Sequence, residues 1–270
     1  FGLYTAKAEL VDEIASLAPY YTICWAAGND RGEPGDGSRP PDCNGGTGFD
    51  CIIPDAVAKN IITVGAIEPL VAYTSPASVV MSSYSSWGPT DDGRIKPDLV
   101  GIGSNVFSLS AAPANSYTVL SGTSMATPNV SGSLLLLQEL HKKLGGGKPM
   151  RAATLKALAI HTAKEAGDFA GPDYRFGWGL LDTQAAAQVL LQRDGVQTIV
   201  QESTLKTGET WTLNINPQSG RKITITLAWT DVPATPAPDQ LDPPNLALVN
   251  DLDIRLVDDQ GTTHFPWILN

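Results

Sequence analysis

The sequence predicts an α/β domain with a parallel sheet between two layers of helices, followed by part of an antiparallel β-sandwich or jelly roll. Short apolar runs alternate with helical patterns as far as about residue 192, and such alternation is typical of a parallel sheet covered on both faces. After about residue 195, polar and apolar residues alternate with a period of two, as in half-buried strands. We therefore divide the chain into residues 1–194 and 195–270, and we expect each part to be an incomplete domain.

Four segments have the pattern of helices. The first is amphipathic, with apolar residues on one face and charged residues elsewhere. The second is apolar nearly all the way round, which predicts burial in the centre of the domain. It ends with Lys142 and Lys143 in its last turn and three glycines directly after it, which are common C-terminal signals. The predicted helices cover residues 6–17, 124–144, 150–164 and 183–192.

Shorter patterns predict the strands. Apolar runs at residues 23–27, 61–67, 98–102 and 106–109 are strand candidates of the first part. In the second part, the period-two segments are residues 210–215, 222–227 and 253–257. Three or four strands are fewer than a sandwich usually needs for independent stability. We therefore expect that module to continue after Asn270.

Composition and charge narrow the classes of function. The chain has 270 residues, 42% of them hydrophobic, which is enough for a sizeable core. Its formal net charge of −10 argues against a nucleic-acid partner or an anionic membrane surface. No apolar stretch approaches the length needed to span a bilayer. The chain begins at Phe1 without a signal peptide, so we interpret it as a processed or excised piece.

The three cysteines differ in their surroundings. Cys24 lies in an apolar run and is predicted to be a buried free thiol. Cys43 and Cys51 bracket a loop rich in turn-forming residues, which a disulfide would stabilise in an oxidising compartment. The alternative is a pair of metal ligands, but no nearby histidine completes a site. We favour the disulfide and, with it, a secreted or extracytoplasmic location.

The most informative segment is residues 122–128, Gly-Thr-Ser-Met-Ala-Thr-Pro. It sets the small residue Ser124 between a glycine-bearing turn and a helix whose first turn contains Pro128. The partly positive N-terminus of a helix can stabilise the oxyanion that a nucleophilic serine generates. The alternative is that Ser124 only caps the helix, since serine is a favoured N-cap residue.

The whole of this segment resembles the nucleophile motif of the subtilisin-like serine proteases, the peptidase S8 family. Residues 26–29, Ala-Ala-Gly-Asn, resemble the family's segment that provides the oxyanion-hole asparagine. At residues 101–103 the chain has Gly-Ile-Gly where the family usually has Ala-Pro-Gly. Further segments that resemble the family are residues 82–89, 96–101 and 176–182, and residues 248–253 resemble the β-sandwich appended to some alkaline subtilases.

The resemblance implies a subtilisin-like fold and hydrolysis of peptide bonds in polypeptide substrates through an acyl-enzyme on Ser124. It implies that the Asn29 side-chain amide and the Ser124 backbone N–H bind the oxyanion, without a cofactor for catalysis. The residues that it implies for substrate binding are Ala26, Ala27, Gly28 and Gly122. The alternative is that Gly28-Asn29-Asp30 only forms a turn, since all three residue types are favoured in turns.

A nucleophilic serine needs a base, and the base needs an orienting carboxylate. The family supplies them from Asp-(Thr/Ser)-Gly and His-Gly-Thr motifs, and neither occurs in this sequence. His141 lies about 25 Å along the helix from Ser124 at 1.5 Å per residue, His161 lies in an Ala/Leu-rich helix and His264 in the β module. We therefore expect the Asp and His to come from the missing N-terminal part of the same domain, and the chain alone to be inactive. The alternative is a non-catalytic pseudoprotease or binding scaffold.

Acidic residues near a proline-rich loop raise the question of calcium. The group comprises Asp239, Asp242, Asn250, Asp251 and Asp253. Because Ca²⁺ takes six to eight oxygen ligands, we consider a structural Ca²⁺ bound by Asp251 and Asp253. The alternative is a solvated acidic face.

Overall fold

The protein is described by a computed structural model that covers residues 1–32, 43, 47–111, 115–145, 147–193 and 198–269. Its centre is a parallel sheet of three strands in the order β1 (Cys24–Ala26), β2 (Ile62–Ile67) and β3 (Leu99–Ile102). Every residue of β2 is buried, which explains its uninterrupted apolar run. The predicted parallel sheet is confirmed.

Helices cover both faces of the sheet. They are α1 (Ala6–Leu17), α2 (Thr123–Lys143), α3 (Ala152–Thr162) and α4 (Thr183–Gln192), close to the predicted bounds. Successive residues of β1 point to opposite faces: Cys24 packs against the core formed with α2, α3 and α4, whereas Trp25 packs against the core that contains Ala8 of α1. The three-layer arrangement follows from this alternation.

The prediction that α2 is buried all the way round is wrong. Its buried residues are Thr123, Ala126, Val130, Leu134 and Leu137, spaced three or four apart along one face. Leu135 and Leu136 on the other side are 70% and 61% exposed. The reason is that α2 lies on a sheet of three strands, and that sheet covers one side of the helix.

An ion network holds the start of β3 against β2. Asp98 accepts a hydrogen bond from the Thr63 backbone N–H (2.8 Å) and pairs with Lys96 (2.6 Å) and Lys156 (2.7 Å). Lys96 is only 2% exposed. Burial lowers its pKa to about 7, against the opposing effect of Asp98. The segment 96–98 that resembled the family is therefore a structural anchor.

A small antiparallel sheet precedes α2. It pairs β4 (Val106–Leu109) with β5 (Tyr117–Leu120). We predicted β4 from its apolar run but not β5, and we placed β4 among the alternating strands of the main sheet. In the structure both form a separate hairpin, and β5 leads directly to Gly122.

The sandwich predicted for residues 195–270 is not seen among the described residues. Residues 210–215 and 222–227 form no strand, and the regular structure there is a pair of two-residue strands, β6 (Leu256–Val257) and β7 (Thr263–His264). A period-two pattern produces a strand only when another strand completes its hydrogen bonds and covers its apolar face. Neither condition is met here, since Trp211 and Ile225 are each 49% exposed. The proposed boundary at 194/195 lies outside the described residues.

A buried aspartate instead attaches this region to the first part of the chain. The Asp231 carboxylate pairs with Lys59 (2.6 Å) and accepts hydrogen bonds from the backbone N–H groups of Val249 and Asn250. Its own N–H donates to Asn60 Oδ1. Burial by itself would raise the pKa of Asp231, but the hydrogen bonds from Lys59, Val249 and Asn250 outweigh it and lower the pKa. Among the described residues, no helix is long and apolar enough to cross a membrane.

Candidate active site

Ser124 lies in the first turn of α2 and its side chain is exposed. The helix begins at Thr123 and its N-cap residue is Gly122, so Ser124 is not the cap. A backbone N–H in the first turn has no acceptor within the helix, and the helix dipole adds partial positive charge there. Ser124 therefore combines an accessible hydroxyl with a donor-rich environment.

Close packing of two glycines positions this turn. The Gly122 N–H donates to the Gly103 carbonyl oxygen at 2.9 Å. A Cβ on Gly103 would lie 2.7 Å from the Gly122 carbonyl oxygen and 2.6 Å from Ala66 Cβ. Only glycine allows this close approach. Gly103 therefore stands where the family's Ala-Pro-Gly segment also has its glycine, although the two residues before it differ. Gly122 itself is buried.

Asn29 lies just beyond β1, next to the start of α2. Its Oδ1 accepts hydrogen bonds from the Thr123 N–H (2.8 Å) and the Thr123 hydroxyl (3.0 Å). A backbone N–H can only donate, so the atom that faces it must be the oxygen of the amide. The amide nitrogen is then the free donor of this side chain, and both amide atoms lie close to Gly122, 3.6 Å (Nδ2) and 3.7 Å (Oδ1) from where a Cβ on Gly122 would be.

Thr123 was missed by the sequence analysis, although it stands directly before Ser124. It is buried, and besides its two bonds to Asn29 its hydroxyl faces the Gly28 N–H at 3.4 Å. The one feature of the sequence that could have indicated its role is that Thr123 is a polar residue at the start of a predicted helix, where the fold buries it. Its role depends on the approach of two segments 94 residues apart, which local sequence does not reveal.

The other predicted substrate-binding residues, Ala26, Ala27 and Gly28, lie directly before Asn29 in the chain and fix its position through their packing and backbone hydrogen bonds. Ala27 and Gly28 are buried, and Ala26 is half-buried in β1. Ala27 donates to Val64 O, and the carbonyl oxygen of Gly28 accepts a hydrogen bond from Ser86 N–H. Gly28 has a φ of +116°, and a Cβ there would lie 2.7 Å from both Ile53 and Ser86 side-chain atoms. In this structure these residues position Asn29, and those that are buried offer little surface to a ligand.

Each histidine has a partner of its own. His141 contacts Lys148 O and Arg193, His161 contacts the Thr226 hydroxyl, and His264 contacts Asp258. Burial lowers the pKa of His161. None of these contacts involves Ser124 or Asn29.

The cysteine predictions are confirmed for the disulfide. Cys43 and Cys51 are joined, with their Cα atoms 4.6 Å apart, which rules out the metal-ligand alternative for this pair. Cys24 is a free thiol, half-buried instead of fully buried. Burial, with a smaller effect of Asp98, raises the pKa of its thiol to about 12, so it is unreactive at neutral pH.

Ca²⁺ at Asp251 and Asp253 stays a prediction. Asp251 and Asp253 are exposed, and neither belongs to a cluster of three potential ligands among the described residues. The cluster that does form consists of Asp50, Asp91 and Asp242, whose oxygen atoms lie within 4.8 Å of one another.

Several curated proteases are similar to parts of this chain. The C5a peptidase of Streptococcus pyogenes serotype M3 is 40% identical over 85 residues, which is 32% of this chain and 7% of that protein. Serine protease AprX of Bacillus subtilis is 36% identical over 109 residues, 36% of this chain and 24% of AprX. The PII-type proteinase of Lactococcus lactis subsp. cremoris is 34% identical over 128 residues, 41% of this chain and 6% of that protein. The chain thus spans 24% or less of each of these relatives.

Solved structures also align with it. The self-cleaved protease domain of PatA has a TM-score of 0.47 and 22% sequence identity, over 68% of this chain and 54% of that one. The model of the subtilase family, Peptidase S8, matches residues 5–179, which include β1 to β5, α1 to α3, Asn29 and Ser124. The chain therefore belongs to the subtilase family.

Proposed function

We propose that the protein containing these residues is a serine endopeptidase that hydrolyses polypeptides through an acyl-enzyme on Ser124. The observation that carries the proposal is the contact between Asn29 and Thr123. It brings the carboxyl end of β1 to the head of α2 and leaves the Asn29 amide nitrogen beside the turn that bears Ser124. Membership of the subtilase family supports the same chemistry.

In this mechanism the Ser124 oxygen attacks a peptide carbonyl, and the carbonyl oxygen becomes an oxyanion. Asn29 Nδ2–H and the Ser124 N–H donate to it. Both donors are held by the fold before substrate arrives, so little reorganisation is needed as charge develops. For subtilisin, which is the reference case for this effect, losing the asparagine costs about 10²–10³ in turnover, and we adopt that figure for Asn29.

The base and its orienting carboxylate would come from outside these 270 residues, so that the chain alone is inactive. Two features support this. All three histidines have other partners. Among the described residues, β1 pairs with β2 along one edge only. A further parallel strand on the open edge would end near Asn29, because the carboxyl ends of parallel strands meet at the same side of a sheet.

The test is covalent labelling with a fluorophosphonate, which reacts with activated serines. We expect labelling of the intact parent protein, loss of labelling in Ser124→Ala, and little labelling of the 270-residue chain. Ser131→Ala, an exposed serine on the same helix, is the matched control and should be labelled like the wild type. An intact parent that is not labelled would overturn the mechanism.

A second candidate is a non-catalytic pseudoprotease or binding scaffold, favoured by the absence of a base among the described contacts of Ser124. The sequence that precedes these residues in the parent distinguishes the two. A parent without Asp-(Thr/Ser)-Gly and His-Gly-Thr motifs would be a scaffold.

The remaining expectations concern location and cofactors. A secreted or extracytoplasmic location is supported by the Cys43–Cys51 disulfide, since such bonds persist in oxidising compartments. The proposed chemistry needs no cofactor, and the net charge of −10 gives no reason to propose a nucleic-acid partner. Structural Ca²⁺ at Asp251 and Asp253 stays a prediction, and a Ca²⁺-dependent rise in the thermal midpoint that Asp251→Asn abolishes would support it.

A further inference from the structure

We propose that Arg31, Trp87 and Arg175 form a binding site for an acidic side chain of the polypeptide that occupies the Ser124 site. The proposal rests on the proposed function in that it takes the ligand to be a polypeptide. The site would make the protein prefer Asp or Glu near the bond that faces Ser124.

Two guanidinium groups share one aromatic ring. The Arg31 Cζ atom lies 4.5 Å from the centroid of the Trp87 ring, and the Arg175 Cζ atom lies 4.7 Å from it. Phe49 completes the group, with its ring centroid 5.2 Å from that of Trp87 and 5.5 Å from Arg175 Cζ. Contacts between cations and aromatic faces at these distances are attractive and hold the guanidinium groups in defined positions.

Neither Arg31 nor Arg175 forms a salt bridge within the described part of the chain. Burial lowers the pKa of Arg31, and the charge of Arg175 lowers it further, as expected when one cation is held near another. In a chain with a net charge of −10, such a pair of cations stands out.

The two aspartates closest to these arginines in sequence, Asp30 and Asp173, accept backbone hydrogen bonds. Burial raises the pKa of Asp173, and the charge of Arg175 also acts on this carboxylate and lowers its pKa against that larger effect. Asp30 Oδ2 accepts a hydrogen bond from the Asn29 N–H, and Asp173 Oδ1 accepts the backbone N–H groups of Arg175 and Phe176. An added carboxylate would relieve the repulsion between the two arginines. It could also accept paired hydrogen bonds from a planar guanidinium, a geometry that arginine favours.

The position of the site links it to Asn29. Arg31 follows Asn29 by two residues, about 7 Å of extended chain at most. The segment that ends at Trp87 runs alongside: Ser86 N–H donates to Gly28 O, and Arg31 N–H donates to Tyr84 O. Arg175 is exposed and accessible to a ligand. A peptide with its carbonyl at Asn29 would thus carry a neighbouring side chain towards the arginines.

The test measures binding and needs no catalysis. Two fluorescein-labelled hexapeptides, identical except for Glu or Gln at the two central positions, are titrated with the intact parent protein carrying Ser124→Ala at low ionic strength and followed by fluorescence anisotropy. We expect the Glu peptide to bind about tenfold more tightly, as for one charge-assisted hydrogen bond. In Arg175→Gln and in Arg31→Gln the ratio should fall below about twofold.

Two controls separate recognition from folding and from general charge. Arg221→Gln removes an equal charge at an exposed position of residues 198–269 and should keep the tenfold ratio. Arg175→Lys keeps the charge without the planar group and should give an intermediate ratio. Unchanged near-ultraviolet circular dichroism of the variants shows that Trp87 and its surroundings remain packed.

The proposal is overturned if the Ser124→Ala parent binds both peptides equally, if it fails to bind the Glu peptide at millimolar concentration, or if Arg221→Gln lowers the ratio as much as Arg175→Gln does. Failure of the proposed function is distinguishable from these outcomes. An intact parent that resists the fluorophosphonate while its Ser124→Ala variant retains the Glu preference would remove the catalysis and leave the acidic-side-chain site standing.

Discussion

The two regions of the chain, residues 1–193 and 198–269, both have apolar patterns, yet only the first builds a core. In the first region, strand β2 is buried throughout and helices close both faces of the sheet. In the second, every residue from 201 to 220 except Ile215 is exposed. The difference teaches that an apolar pattern becomes regular structure only when a partner completes its hydrogen bonds and covers its apolar face.

The second region is ordered where it touches the first. Ala234 and Ala247 join the core that contains Tyr4 and Ala8, and Asp231 bonds to Lys59 and Asn60. The Tyr4 hydroxyl faces the Ala234 N–H while donating to buried Asp12. Residues 231–250 are thus held by the surface of the α/β region, without a core of their own.

The largest effect expected from breaking this attachment is that of Asp231→Ala. It leaves Lys59, whose side chain is 4% exposed, as a buried charge without its partner, and such changes cost about 3–5 kcal/mol. We expect that loss in the free energy of unfolding measured with urea. Asp259→Ala, at an exposed aspartate of the same region, should change it by less than about 0.5 kcal/mol. Equal effects of the two substitutions would show that Asp231 does not attach the regions.

The second-largest effect expected is a dependence of the free energy of unfolding on pH, which arises from Lys96 in the first region. The pKa of Lys96 is lowered to about 7 in the folded protein, against about 10.4 in an unfolded chain. Above pH 7 the unfolded state therefore binds more protons, and stability rises with pH. Between pH 7 and 8.5 we expect a slope of up to about 1.4 kcal/mol per pH unit in the free energy of unfolding. The window stops there because Cys24 and Tyr4 have raised pKa values and favour the unfolded state at higher pH.

Lys96→Met is the matching variant, because it removes the titrating group and keeps a long apolar side chain. Its free energy of unfolding should be nearly independent of pH over the same window. A slope that persists in Lys96→Met would assign the effect to another group.

The smallest effect is expected for Leu213→Thr in the second region. Leu213 is 43% exposed and belongs to no strand, so the change in the free energy of unfolding should be below about 0.5 kcal/mol. Urea titration beside the wild type measures it. If Leu213 lay in the core of a sandwich, the same substitution would cost about 2 kcal/mol or more, and such a result would restore the sandwich that the sequence predicted.

Helical periodicity and apolar runs were sufficient to predict the first region because its elements are long and have strong local patterns. They located all four helices and the three strands of the parallel sheet. The same reasoning failed for α2, whose apolar residues Leu135 and Leu136 are exposed, and for residues 210–215, whose alternation has no partner strand. In both cases the pattern describes what a segment could bury, and the neighbours decide whether it does.

For the candidate site, the sequence alone determined the serine at a helix start and the asparagine after a strand, and it favoured the pairing of Cys43 with Cys51 that the structure confirms. These depend on local chemistry and on short motifs. Tertiary structure decided that Thr123 holds Asn29 across 94 residues, that Asp231 attaches the second region, and that Arg31 and Arg175 meet at Trp87. Each of these is a contact between segments far apart in the chain, and its energy comes from burial and charge that exist only once those segments are packed together.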